Sequence, residues 1–388
     1  MRVRVERIFA VIQPFCPVDV RVVSDEAGRQ AMRAMLPPAA RLLVLASRSR
    51  CAQLNLTSFF TALQGDGHAV QLYTDIPSNP DVTDVAALLA RLREQPFEPT
   101  AILAIGGGSC MDMGKATAVL YPLLSKPDAQ NVRDAIVQKT YEKPHLSVDL
   151  FVMPTTAGTG SEVTRWATVW DSANRRKLSI DHAQGFPKGA VLIPEWTAGM
   201  DAKLTLSTGL DALSHAMEAF WAVKRNPLSQ ELALLAADKV CKALPLALAE
   251  PGNPEARNTL CMASLLAGLA FSQTRTTACH SISYPLTLLK GMPHGLAAAV
   301  TLSSVMRRNT TAVPEMDRLS GVFDEAEGLD AWLMETTRGI LELRLSAFGV
   351  TEAKLSDIAA LAFTAGRMDN NPVPFTQADV LDILTENL

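Results

Sequence analysis

The sequence lacks several features that mark whole classes of protein. Its 388 residues include six cysteines and no C-x-x-C pair, so neither a disulfide framework nor a cysteine zinc site is indicated. The formal net charge of −4 argues against nucleic acid as a partner. No apolar run reaches the ~18 residues that suggest a membrane span, and residues 1–15 do not read as a secretory signal. We therefore expect a cytoplasmic protein without membrane association.

The G-x-G-x-x-G dinucleotide fingerprint is also missing, yet the first half has the pattern of a nucleotide-binding sheet. A helical pattern at 81–94 opens on Asp81, a residue suited to capping its start. Alternation of such helices with apolar runs is typical of a parallel, doubly wound sheet. The predicted strands are 41–47, 68–74, 100–109, 146–156, 178–182 and 189–194.

The pattern changes near residue 200, where helical periodicity rich in alanine and leucine takes over. It covers 205–250, 254–273, 294–307 and most of 325–388. We predict an α/β nucleotide-binding domain over 1–200, followed by an all-helical domain over 201–388. Apolar helical faces leave room for a homodimer without demonstrating one.

Two loops rich in small residues follow predicted strands. Gly106, Gly107, Gly108 and Ser109 stand between a strand and a helix, where backbone amides can face a phosphate. A plain tight turn would use the same residues. Asp112 and Lys115 would then lie near the bound group. The second loop, 153–162, follows another strand, so the two loops form either one ligand crevice or two unrelated turns.

Four side chains in the second half have the chemistry of a metal site. Asp211 and His215 are four residues apart on a predicted helix and share one face. His280 and His294 follow later, and we expect Pro285 and Pro293 to interrupt any helix between them. Three imidazoles and a carboxylate suit Fe²⁺, Zn²⁺, Co²⁺ or Ni²⁺ better than Mg²⁺ or Ca²⁺. The alternative is a set of ordinary core or surface histidines.

In order and spacing, these motifs together resemble the iron-containing (group III) alcohol dehydrogenase family. The matching pieces are Asn79-Pro80, GGGSCMDMGK, MPTTAGTGSE, TGLDALSHAMEAF and CHSISYPL…MPHG. The resemblance implies a Rossmann-like domain, a helical domain and an active site in the cleft between them. It also implies a nicotinamide cofactor and one divalent metal, Fe²⁺ or Zn²⁺. The implied metal ligands are Asp211, His215, His280 and His294. The implied cofactor contacts are Gly106, Gly107, Gly108, Ser109, Asp112, Thr155, Thr156, Thr159 and Lys177.

Two departures from the family pattern bear on chemistry. Tyr284 stands where many members have a histidine discussed as a proton relay, and a phenol releases its proton poorly near pH 7. Tyr284 and Asp112 are the candidate catalytic residues. Ser47, followed by Arg48 and Arg50, replaces the family's frequent acidic residue at the second strand. A hydroxyl flanked by guanidinium groups predicts NADPH over NADH, although NADH is possible and both arginines could be surface charges.

Three cations are candidates for binding an anionic substrate: Arg275, Arg165 and Lys290. Internal salt bridges are the alternative. The segments GSEVTRWATVWD, RKLSID and TTACHSISYP most resemble the phosphonoacetaldehyde reductase (hydroxyethylphosphonate dehydrogenase) branch, which implies reduction of phosphonoacetaldehyde to 2-hydroxyethylphosphonate in phosphonate biosynthesis. The alternatives are a maleylacetate-type reductase, a dehydrogenase of neutral short-chain alcohols, a dehydroquinate-synthase-type lyase, and a metal- and nucleotide-binding protein without turnover.

Overall fold

The computed structural model describes residues 16–388 and confirms a parallel sheet in the first half. Six strands form this sheet in the order β1-β8-β5-β4-β2-β3, and every neighbouring pair is parallel. Its strands are β1 (Asp19–Val22), β2 (Arg41–Leu45), β3 (Ala69–Tyr73), β4 (Ala101–Gly106), β5 (Asp149–Pro154) and β8 (Gly189–Leu192). The central strand β4 is buried at all positions, as expected where helices cover both faces of a parallel sheet.

The segment predicted as a strand at 178–182 belongs to a different sheet. β7 (Arg176–Asp181) pairs antiparallel with β6 (Trp166–Asp171), and these two strands form a separate two-stranded sheet. Neither β6 nor the edge strand β1 was predicted from the sequence. β1 has only four residues, too few for alternation to stand out from its surroundings.

In the first half of the chain, helices lie between successive strands of the parallel sheet, as the predicted strand–helix alternation requires. The predicted helix at 81–94 is confirmed. Asp81 and Asp84 form a capping box at its first turn, which supplies hydrogen-bond partners for the backbone amides there. The helices are α1 (Asp25–Met35), α2 (Arg48–Gln53), α3 (Thr57–Gly65), α4 (Val82–Glu94), α5 (Gly108–Leu120) and α6 (Ala129–Val137).

The second half is helical, as predicted, and its helices cluster as a separate compact unit. One unit runs to Thr155 and includes Ser161–Thr197, while the other combines Thr156–Gly160 with Ala198–Leu388. The helices of the second unit are α7 (Ala202–Trp221), α8 (Pro227–Ala249), α9 (Pro254–Thr274), α10 (Ala278–Lys290), α11 (His294–Ala299), α12 (Leu302–Asn309), α13 (Met316–Ser320), α14 (Leu329–Thr337), α15 (Glu352–Leu361) and α16 (Gln377–Glu386).

One expectation about this unit is wrong. Pro285 does not interrupt the helix that carries His280, because α10 continues through Pro285 to Lys290. A proline inside a helix removes one backbone hydrogen bond, and here the helix is buried at every position from Ala278 to Thr287. Packing therefore maintains the helix, which ends instead at Gly291 in the left-handed conformation (φ 64°).

Across residues 16–388, no helix combines the length and apolar character needed to cross a membrane. All six cysteines are free thiols. The expectation about a secretory signal concerns residues 1–15, which lie outside the described residues.

Candidate metal and nucleotide sites

The first glycine loop joins β4 directly to α5. Gly107 precedes the helix in an extended conformation and offers no side-chain cap, so the first-turn amides depend on other partners. A Cβ on Gly106 would lie 2.5 Å from the Cβ of Cys110, which explains why this tight turn needs glycine. A helix start of this kind is suited to a pyrophosphate.

The second loop begins beside the first. The Thr155 amide donates to the Gly106 carbonyl at 3.0 Å, because β4 and β5 are neighbours. The Thr155 hydroxyl is completely buried and has no hydrogen-bond partner among residues 16–388. A buried polar atom without a partner is costly, so this position fits a polar ligand. Ser109 is already engaged, since its hydroxyl accepts from the Asn79 amide at 3.0 Å.

The rest of the second loop has glycines for a packing reason that the sequence analysis did not identify. A Cβ on Gly158 would lie 2.5 Å from the Thr208 carbonyl oxygen of α7. One on Gly160, whose φ is +57°, would lie 2.5 Å from the Gly268 Cα of α9. Thr156 and Thr159 belong to this segment, so their predicted role as cofactor contacts stays a prediction.

Lys115, which we expected to lie near a group bound by the glycine loop, is completely buried. Its buried ammonium donates to the Ser161 carbonyl at 2.7 Å, the Ser161 hydroxyl at 2.8 Å, the Thr164 hydroxyl at 3.1 Å and the Trp166 carbonyl at 3.0 Å. Lys115 therefore links α5 to residues 161–166, and its ammonium has no N–H left to donate to a phosphate. Burial raises the pKa of Asp112 to about 6, and the positive charges of Lys115 and Lys177 oppose this rise.

The candidate coenzyme-selecting residues lie at the carboxyl end of β2. Ser47 caps α2 by accepting from the Arg50 amide at 3.3 Å. The Arg48 side chain is 83% exposed, bonds the Thr74 hydroxyl at 3.2 Å and lies 3.8 Å from the Asp75 carboxylate. Burial lowers the pKa of Arg50, but its guanidinium remains a cation near pH 7.

The predicted metal ligands of α7 and α10 converge. Ligand atoms of Asp211, His215 and His280 all lie within 4.8 Å of one another, and the three side chains are buried. The His215 ring stacks on Phe271 with centroids 4.2 Å apart and on His280 at 4.4 Å. Its Nδ1 lies 3.4 Å from the Gly158 carbonyl, which favours a proton on Nδ1 and leaves Nε2 for a metal.

The polar atoms of this cluster fit a cation. Asp211 Oδ1 and His280 Nε2 are buried 3.5 Å apart, and neither has a hydrogen-bond partner in the described chain. Burial lowers the pKa of His215 to about 4, so its imidazole is neutral, the form that binds metals. Burial alone would raise the pKa of Asp211, but the imidazoles, chiefly His215, hold it below its usual range. The donor set of nitrogen and carboxylate oxygen suits Zn²⁺ or Fe²⁺.

His294 adjoins this cluster from the start of α11. Its ring contacts that of His280 edge-on with centroids 5.2 Å apart, and it stacks on the Tyr284 ring with centroids 5.9 Å apart. Close approach of α11 to α7 depends on Gly295, because a Cβ there would lie 1.9 Å from the Ser207 carbonyl oxygen and 2.8 Å from the Asp211 Cβ. The packing thus brings the fourth predicted ligand into contact with His280.

Glu218 is a buried acid that the sequence analysis missed. It lies on α7, and one of its carboxylate oxygens contacts Nδ1 of His280. A signal was present, because Glu218 follows His215 by three residues and Asp211 by seven, which places all three on one helical face.

The three cations proposed for substrate binding have different surroundings. Arg165 forms an ion pair with Asp181, with Nε 2.6 Å from Oδ1, the alternative considered above. Lys290 donates to the Gly349 carbonyl at 2.7 Å and lies about 15 Å along α10 from His280. Arg275 is half-buried at the end of α9, where a Cβ on Gly366 would meet its Nη1 at 2.6 Å. The role of Arg275 in binding an anion stays a prediction.

Comparison with known proteins matches both halves of the chain. Residues 21–194 match the family described as iron-containing alcohol dehydrogenase, and residues 205–388 match the C-terminal part of the Fe-containing alcohol dehydrogenase family. The probable alcohol dehydrogenase EutG of Salmonella typhimurium is 32% identical over 325 residues, which cover 82% of this chain and 80% of that protein. The phosphonoacetaldehyde reductase of Streptomyces viridochromogenes is 40% identical over 246 residues, which cover 63% of this chain and 60% of that protein.

Solved structures with the same fold extend over nearly the whole chain. The sulfoacetaldehyde reductase of Bifidobacterium kashiwanohense, solved in complex with NAD⁺, matches with a TM-score of 0.82 and 30% identity and covers 96% of this chain and 97% of that one. A 1,3-propanediol oxidoreductase matches with a TM-score of 0.83 and 26% identity, over 96% and 98% of the two chains.

Proposed function

The chain belongs to the iron-containing alcohol dehydrogenase family, and on that premise we propose that it reduces a small anionic aldehyde to the primary alcohol. The family predicted from the motifs is confirmed, and with it an oxidoreductase that uses a nicotinamide cofactor and a divalent metal. The proposed substrate is phosphonoacetaldehyde and the proposed hydride donor is NADPH. The observation that carries the proposal is the convergence of buried Asp211, His215 and His280 at one point.

The reaction that we propose consumes one NADPH and one proton for each aldehyde reduced. A divalent ion held by Asp211, His215, His280 and His294 would act as a Lewis acid toward the aldehyde oxygen without itself changing oxidation state. NADPH would give hydride to the carbonyl carbon, and the oxygen would take a proton. Tyr284 lies against His294, so its hydroxyl is the chain's candidate for holding that proton.

Two observations support an anionic substrate. The names of two relatives, a phosphonoacetaldehyde reductase and a sulfoacetaldehyde reductase, both refer to acetaldehydes that carry an acid group. In this chain, Arg275 lies five residues before His280 and is half-buried, a position where a guanidinium favours an anion as its partner.

The proposal is tested by following NADPH absorbance at 340 nm with short aldehydes that either carry or lack a phosphonate or sulfonate group. We expect stoichiometric NADPH oxidation, and the highest kcat/KM with phosphonoacetaldehyde. A lyase of the dehydroquinate-synthase type would use its cofactor only transiently. Metal and nucleotide binding without turnover of any aldehyde would contradict the proposal.

Replacing Arg275 with alanine is expected to raise KM for phosphonoacetaldehyde about 10- to 100-fold and to spare propionaldehyde. The reason is that a hydrogen bond to a charged group contributes about 1.5–3 kcal/mol, and each 1.4 kcal/mol corresponds to about tenfold. Arg338→Ala is the matched control, because that side chain is 66% exposed and pairs with Glu335. Equal changes for both aldehydes would exclude Arg275 as the anion-binding group.

Replacing Arg48 with alanine is expected to raise KM for NADPH roughly tenfold and to change KM for NADH little, because only NADPH carries the 2′-phosphate that a guanidinium binds. Arg21→Ala is the control, since Arg21 is also exposed but lies on β1, at the opposite edge of the sheet from β3. Parallel changes in both Michaelis constants would show that Arg48 does not select the coenzyme.

A further inference from the structure

Glu218 is a completely buried acid whose surroundings suggest a defined task. It is 0% exposed and lies on α7, on the same face as Asp211 and His215. A carboxylate in such a position is costly unless all its acceptor sites are used. Its two carboxylate oxygens have different hydrogen-bond partners. One oxygen contacts the start of the helix that carries His280, and the other contacts the His280 ring.

One oxygen holds the start of the helix that carries His280. Glu218 Oε1 accepts from the Thr277 amide at 3.0 Å, the Thr277 hydroxyl at 2.7 Å, the Cys279 amide at 2.8 Å and the His280 amide at 3.3 Å. Thr277 is the residue before α10 and gives that helix no side-chain cap of its own. Glu218, which lies on α7, therefore acts as the N-cap that α10 lacks. Its negative charge lies at the amino end of α10, where the helix dipole favours an anion.

The other carboxylate oxygen of Glu218 determines which ring nitrogen of His280 carries a proton. Glu218 Oε2 contacts His280 Nδ1, and an ionised carboxylate can only accept a hydrogen bond. Nδ1 must therefore be the donor. In a neutral imidazole this leaves the lone pair on Nε2, the atom that lies 3.5 Å from Asp211 Oδ1 without a hydrogen-bond partner in the described chain.

We propose that Glu218 is a positioning residue that fixes the tautomer and orientation of His280 so that Nε2 faces the metal. This inference builds on the metal site of the proposed function and adds a residue outside the ligand set. Groups that orient ligating imidazoles in this way commonly affect metal affinity 10- to 100-fold.

Glutamine at position 218 separates this role from simple packing. Its side chain has the same shape but only one acceptor oxygen, whereas Glu218 uses both oxygens as acceptors. If the amide oxygen keeps the donors at the start of α10, the amide nitrogen faces Nδ1 of His280. Two donors cannot bond each other, so the ring would move its proton to Nε2, and that nitrogen could no longer bind a metal.

The experiment compares Glu218→Gln with Ser214→Ala, a buried polar change on the same helix whose hydroxyl bonds only the Leu210 carbonyl among the described contacts. The zinc dissociation constant of each full-length protein is measured by competition with a chelator. Thermal unfolding of the metal-free proteins is measured alongside. We expect Glu218→Gln to weaken zinc binding about 10- to 100-fold, and Ser214→Ala to leave it within about twofold. Unchanged zinc affinity in Glu218→Gln would overturn the proposal.

Two further measurements cover the cases in which Glu218→Gln does not fold or the metal site itself is wrong. If Glu218→Gln does not fold, ¹⁵N spectra of histidine-labelled, zinc-loaded wild-type protein still decide, because a His280 Nδ1 without a proton would overturn the proposal. His280→Ala tests the premise separately. If that variant binds zinc as tightly as wild type, the metal site itself is wrong, whereas loss of zinc in His280→Ala with full affinity in Glu218→Gln rejects only the role of Glu218.

Discussion

Replacement of His280 by alanine is expected to lower kcat/KM about 10³-fold or more and to reduce bound metal well below one ion per chain. His280 presents a buried nitrogen to Asp211 and stacks against His215, so its loss removes one side of the cluster. Lewis-acid stabilisation by a metal contributes several kcal/mol, and about 4 kcal/mol corresponds to about 10³-fold in rate.

The control for this prediction is His145→Ala. His145 is a half-buried histidine of the other unit, stacked on His182 with centroids 5.5 Å apart, and we expect its loss to leave rate and metal content near wild type. Metal content by mass spectrometry and steady-state NADPH oxidation are the measurements. A His280→Ala protein with full metal content and full rate would disprove the ligand assignment.

The second large effect is expected from a single methyl group. Gly295→Ala places a Cβ 1.9 Å from the Ser207 carbonyl oxygen and 2.8 Å from the Asp211 Cβ, where neither neighbour is a flexible side-chain end. α11 must move away from α7 by more than about 1 Å, since carbon contacts need about 3.5 Å. His294 is the adjacent residue, so a predicted ligand moves with it. A displacement of about 1 Å can cost about 100-fold in rate.

We therefore expect Gly295→Ala to lower kcat/KM about 100-fold or more, to weaken metal binding and to lower the midpoint of thermal unfolding. Overpacking of this kind destabilises by roughly 1–3 kcal/mol. Gly252→Ala is the matched control in the same unit, because a Cβ there would meet nothing within 4 Å. If Gly295→Ala had the metal affinity and rate of the control, close approach of α11 and α7 would not matter for the site.

The sequence was most informative where one residue type serves one physical need. Asp81 predicted the start of α4 because few residues can cap a helix. Gly106 predicted a tight turn between β4 and α5, where a Cβ would lie 2.5 Å from the Cβ of Cys110. The helical spacing of Asp211 and His215 predicted a shared face, and the structure brings His280 to it.

The sequence was least informative where the role of a residue depends on distant partners. Lys115 was expected near a group bound by the glycine loop, but its ammonium bonds Ser161, Thr164 and Trp166 inside the protein. Pro285 read as a helix breaker, although burial of α10 maintains the helix through it. The partners of Lys115 lie 46 to 51 residues further along the chain, and the burial of Pro285 depends on packing, so nothing local to either residue indicates these contacts.

By itself, then, the sequence determined the α/β and helical halves and the family, because these follow from local periodicity and from motifs with fixed spacing. From the same motifs it predicted four metal ligands, and the structure brings three of them, Asp211, His215 and His280, together. Only the tertiary structure decided how those side chains are held. The bond from Glu218 to His280 and the space left by Gly295 arise between helices far apart in the chain. Contacts across such distances are fixed by packing in three dimensions, which the order of residues does not display.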